Sequence, residues 1–154
     1  MAVLFNSLQS TVFESSNENV VAAFNESIEK AKAFLSANPK MKIHDLSFVG
    51  LQIQLSENSQ AAGCAVVVHH SEPKSKGGTK ASDVIVETAT GISTISDITE
   101  AVQEADAVIN DVLSTYIGKE FLSHAMAYVA EATSSESSKI GSDFHVLHAF
   151  LIKK

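Results

Sequence analysis

The chain is expected to be an α+β protein of two tandem βαββ units, antiparallel sheets each covered by one long helix. Three observations predict it. Runs rich in β-branched and apolar residues recur along the chain, as strands require. Two stretches carry apolar residues at helical spacing. A polar stretch divides the 154 residues into halves that read in the same order. The expected boundaries are 1–72 for the first repeat, 73–82 for a linker and 83–154 for the second repeat.

The repeat shows as a pattern more than as identity. Val3 to Ser7 parallels Val84 to Thr88 at an offset of 81 (84 − 3), and the same offset carries Val20, Phe24, Ile28, Ala31 and Leu35 onto Ala101, Ala105, Ile109, Val112 and Tyr116. Leu46, Phe48 and Val49 match Met126, Tyr128 and Val129 at an offset of 80 (126 − 46). Ser56-Glu57 matches Ser135-Glu136, and His69 matches His148, at an offset of 79 (148 − 69). A falling offset is what small loop deletions produce.

The first segment of each half, about 3–13 and 84–93, reads as a strand. In Ser15-Ser16-Asn17-Glu18 a serine precedes a glutamate by three, the capping-box spacing, with Asp97-Ile98-Thr99-Glu100 as counterpart. One apolar stripe then runs along each helix. Asn38-Pro39 stops the first helix, because the residue before proline disfavours helical backbone. Gly118 caps the second. In 41–55, Val49, Leu51, Ile53 and Leu55 alternate with Gly50, Gln52 and Gln54, a half-buried strand. The turn 56–60 leads to a strand at about 61–71. In the second half, strands at 120–132 and 143–153 flank a serine-rich turn, 133–142. Ser71 to Lys80 holds a proline, two glycines and three lysines and reads as solvated chain. The last strand is apolar on both parities, Phe144, Val146, Phe150 and Ile152 against Leu147, Ala149 and Leu151. Each unit is therefore expected to need a neighbour over its second sheet face, which predicts a homo-oligomer; the alternative is a monomer whose halves cover each other.

Composition narrows function. Acidic residues outnumber basic ones, 18 to 11, and every basic residue is lysine. Without arginine and with net charge −7, nucleic acid and anionic membrane are poor partners. Cys64 is the lone cysteine, inside Ala61 to Val68, and reads as a small buried hydrophobe. No basic, apolar leader or membrane-length run is present, so a cytoplasmic location is expected. No phosphate-cradling glycine loop or nucleophile elbow occurs, and acid pairs such as Glu104 and Asp106 read as solvated helix charges. The chain is expected not to be an enzyme, with no catalytic residue assigned.

The passage Val12 to Phe24, from strand through a small hydroxyl cap into a helix, together with Ile28 to Leu35 and the strand from Met41, resembles dodecin. The likeness covers most of both halves. Dodecins are small flavin-binding proteins that form shells of twelve subunits. The resemblance implies storage of a flavin-like aromatic ligand between subunits, and six two-repeat chains to a shell. Flavin-binding dodecins stack the ring on a tryptophan near the start of the second strand. This chain has no tryptophan; Met41 and Phe121 stand nearest and are the implied ligand contacts. Six histidines are the remaining chemical resource. His69 and His148, read as repeat equivalents, are the candidates for a metal shared across an assembly; within one chain no metal site is expected. A scaffold with the same assembly and no ligand is the alternative function, and an enzyme with a site between the halves is a third.

Overall fold

The structure is a computed structural model and describes residues 8–56, 58–133 and 143–154. Residues 3–7 of the first expected strand, Glu57 and most of the turn expected at 133–142 lie outside the described residues. In chain order the elements are β1 (Gln9–Asn17), α1 (Val20–Ala37), β2 (Lys42–Ser56), β3 (Ser59–Ser71), β4 (Thr79–Lys80), β5 (Val84–Thr94), α2 (Ile98–Thr115), β6 (Phe121–Ala130), β7 (Ala132–Thr133) and β8 (Asp143–Lys153). Short 3-10 turns, Ala81–Asp83 and Ile95–Asp97, precede β5 and α2.

Both helices start where a side chain can cap them. Asn19 is the N-cap of α1, its carboxamide oxygen accepting from Val21 N at 2.7 Å. The cap is thus Asn19 and not a serine; Ser15 and Ser16 belong to β1. Asp97 caps α2 through Glu100 N. Asn38 N–H closes α1 on Leu35 O, and beyond α2 Gly118 adopts φ 80°, the left-handed conformation that glycine tolerates.

The strands form one five-stranded sheet, ordered β1-β3-β2-β4 with β7 also on β2, and one three-stranded sheet, ordered β5-β8-β6. This corrects the expected architecture of two tandem βαββ units, each an antiparallel sheet under its own long helix. The chain forms a single β-rich α+β body whose halves interlock. The first sheet recruits β4 from the stretch read as linker and β7 from the second half, and β7 joins β2 in parallel, Ile53 opposite Ala132. A three-stranded first sheet would have left the long β2 with an unpaired edge; the two short strands satisfy part of it.

The helices are not equivalent either. α1 buries Val20, Ala23, Phe24, Ile28, Ala31 and Leu35. One core joins these to Leu46, Val66 and Val68 of the first sheet and to Val86, Leu147 and Leu151 of the second. α1 therefore packs against both sheets. The apolar second face of β8 is covered from within the chain, by the core around α1. The sheets meet where β6 runs beside β2: the Ser123 hydroxyl donates to the Asp45 carboxylate, and a side chain on Gly50 would press on Val20 and on Val129 and Leu147. α2 buries only Ala101, Ala105 and Val112, lying over β5 and β8.

Sheet parity corrects the proposed equivalence of His69 and His148. In β3 the even residues 62, 64, 66, 68 and 70 turn toward α1; in β8 the even residues 144, 146, 148, 150 and 152 turn toward α2. An odd offset of 79 cannot preserve the face, since one step along a strand reverses every side chain. His148 lies under α2, whereas His69 lies on the side away from α1.

Candidate functional site

The clearest concavity among the described residues lies where α1 ends and β2 begins. Its volume is about 680 Å³, and its walls come from β1 (Gln9, Thr11), α1 (Phe34), the connection Asn38 to Met41, and β3 with the residues after it (His70 to Pro73). Met41, the ligand contact implied for the first half, lines it. It is placed by local backbone bonds: Met41 N–H donates to Asn38 O at 3.1 Å, and Met41 O accepts from Ala81 N at 2.8 Å, fastening the returning chain.

The floor of the cleft is apolar and aromatic. The Phe34 ring lies 5.3 Å from that of Phe13 and 5.3 Å from that of His70. His70 Nε2 and Thr11 Oγ1 share a hydrogen bond of 2.8 Å, which fixes the imidazole plane. Burial, with His44 and His69 nearby, lowers the His70 pKa from its ordinary value and so favours the neutral ring. Gln9, Asn38, Lys40 and Glu72 supply polar groups to its lining. The arrangement offers a flat apolar surface with a few hydrogen-bonding edges, the usual make-up of a small-molecule site.

A second feature lies on the second sheet. α2 lies over β5 and β8, while on the same face of β6 Tyr128 is 55% and Met126 45% exposed. Beside them the rings of His124, His148 and Phe150 lie nearly parallel: His124 stands 4.5 Å from Phe150 at 9° and 5.0 Å from His148 at 13°. Tyr128 lies 5.8 Å from Phe144. Phe121, the contact implied for the second half, meets Phe150 edge-on at 5.9 Å. This is an open shelf, in contrast to the hollow at Met41.

The structure thus brings Phe121 and His148 into one cluster and seats Met41 in another, on a different sheet. It does not bring His69 and His148 together. His69 Nδ1 pairs with Ser10 Oγ at 3.0 Å on the outer face of the first sheet, while His148 Nδ1 pairs with His124 Nε2 at 2.8 Å. Burial, reinforced by His124 and opposed by Asp106, lowers the His148 pKa. No group of three or more histidine, cysteine, aspartate or glutamate side chains among the described residues is placed to hold a metal ion. Cys64 is buried, and burial pushes its thiol up to about 11 against the opposing effect of Ser27, so at neutral pH it is a poor nucleophile. Among the described residues no helix is long and apolar enough to cross a membrane.

Phe34, Thr11 and His70 of the cleft escaped sequence reasoning. The one available signal was parity: Val66 and Val68 as core residues put His70 on the same, helix-facing side. Comparison of the chain with family models, curated proteins and solved structures finds no match.

Proposed function

We propose that the protein is a non-enzymatic, cytoplasmic binding protein that stores a small planar aromatic ligand of the flavin class in the Met41 cleft and works as a homo-oligomer. The ligand class comes from the dodecin resemblance. The observation that carries the reading is the cleft itself. Its volume of about 680 Å³ lies inside the range of roughly 300–1,000 Å³ typical of small-molecule sites. The Phe34 and His70 rings and the Met41 thioether supply dispersion contact for a flat ring. Because His70 is engaged by Thr11, it serves as a contact surface; a proton shuttle would need that nitrogen free.

Riboflavin fluorescence titrated with the purified chain tests this. Saturable quenching is expected, and Phe34→Ala, which removes the aromatic floor of the cleft, is expected to weaken it at least about tenfold (about 1.4 kcal/mol) with unchanged circular dichroism. Riboflavin that stays fluorescent overturns the reading. Quenching that survives in Phe34→Ala and disappears in Tyr128→Ala moves the ligand to the shelf.

One observation favours the second reading, a self-assembling scaffold with no ligand: the outer face of the first sheet exposes Val12, Val49, Leu51 and Leu55, and among the described residues no helix lies over it.

A further inference from the structure

Opposite its α1-facing side, the first sheet shows three rows of outward residues. The central row on β3 is small over one half, Ala61, Gly63 and Ala65, and continues as Val67 and His69. The β2 row beside it is large, with Val49 65%, Leu51 53% and Leu55 41% exposed. Register sets Leu51 next to Gly63, and Gly63 next to Ser16 of β1. The relief is therefore a ridge along β2 and a trough along β3. Two hollows, of about 640 and 280 Å³, lie in that trough and share Leu51, Gly63 and Ser16.

We infer that this face is a two-fold interface with a second copy of the same chain, the β2 ridge of each copy seated in the β3 trough of the other. Three features select a copy of itself. First, ridge and trough lie side by side on one face, so a two-fold rotation brings each onto its complement, as an isologous contact requires. Second, the carboxylates stand to one side of the ridge: Glu14 and Glu18 line the two hollows from β1 and its end, and Asp45 lies at one end of β2, so the Val49 to Leu55 ridge itself carries no charge. Third, the size comes close to what a specific contact needs. Three strands about 4.8 Å apart and about ten residues long at about 3.3 Å each span roughly 470 Å² per copy, so two corrugated faces approach the roughly 1,000 Å² at which specific interfaces begin.

The inference rests on the self-assembly reading and is independent of any ligand in the Met41 cleft. Sedimentation velocity on the full chain tests it, with two variants that leave the monomer intact. Leu51→Lys puts a charge on an exposed ridge position. Gly63→Val fills the trough; a Cβ there meets only Ser15 O, at 3.8 Å, and valine suits a strand. The wild type is expected to sediment as a dimer or a multiple of one, and each variant at a smaller mass, with association weakened at least about tenfold and circular dichroism unchanged. A wild type that stays monomeric at high micromolar concentration overturns both the inference and the self-assembly reading. An assembly that keeps its mass in both variants, or breaks instead with Ile117→Lys in the turn after α2, overturns this face alone.

Discussion

The two helices have the same length and similar stripes, yet they do different work. α1 is enclosed by both sheets; Phe24 and Val20 are fully buried, and Ile28 retains 2% exposure. α2 rests on one sheet, and its Val108 and Leu113 remain 38% and 46% exposed. The difference teaches that periodicity reports which face of a helix is apolar and not how many neighbours that face will meet. The sharpest way to break the comparison uses the same change in both helices. Ile28→Ala, in the enclosed helix, is expected to cost about 4 kcal/mol through lost burial and an unfilled cavity, whereas Ile109→Ala, half-buried in the outer helix, is expected to cost about 1–2 kcal/mol. Urea unfolding with a common slope measures both. Equal losses would mean that the helices share one role.

A pair of glycines sharpens the contrast at the level of backbone. Gly91 of β5 lies under α2 so closely that an added Cβ would stand 2.1 Å from Ala101 O and 2.9 Å from Ala105 N. The small Ala101 and Ala105, both fully buried, belong to the same close approach. Gly91→Ala is therefore expected to push α2 off the sheet and destabilise by about 2–3 kcal/mol. The identical change at Gly63, where space is open, is expected to fall within about 0.5–1 kcal/mol of neutral, on the stabilising side. Thermal midpoints distinguish the two; a Gly91→Ala protein that melts like the wild type would refute the tight seating of α2.

What was legible in the sequence follows from how local each signal is. Val20, Phe24, Ile28, Ala31 and Leu35 marked the buried stripe of α1, because helical spacing is set within a few turns. The N-cap was misplaced, since Ser15 and Asn19 both stand before the apolar run and only the strand's true length decides between them. Architecture was the larger miss. Nothing in Ala132-Thr133 or Thr79-Lys80 announces a partner strand, because strand pairing depends on residues far apart in the chain. The histidine equivalence failed on one residue of slip, which a composition match cannot register but a pleated sheet does. At the site, Met41 was reached only through resemblance. Phe34, Thr11 and His70 come from three separate elements, so no single stretch could display them as a set.

The smallest expected effect concerns a histidine that belongs to neither site. His145 of β8 is fully buried between Val129 and Ile92, and neither of its ring nitrogens has a hydrogen-bond partner. Burial lowers its pKa below the ordinary value near 6.5, although Asp143 pulls the other way. The consequence for stability has a definite sign. Above the unfolded value both states are neutral and the ring costs no proton. As pH falls below about 6.5, the unfolded chain takes up a proton that the folded chain resists, so stability declines until the folded value is reached. His70 and His148, also lowered by burial, add to the same acid-side slope. His145→Leu keeps the volume apolar and removes the two unsatisfied nitrogens. It is expected to raise stability at neutral pH slightly and to reduce by up to one the protons taken up on unfolding at mildly acidic pH. Urea midpoints followed from pH 7.5 to about 5 report that proton count. A wild-type slope unchanged in His145→Leu would mean that the buried ring is already protonated in the fold, or meets water there.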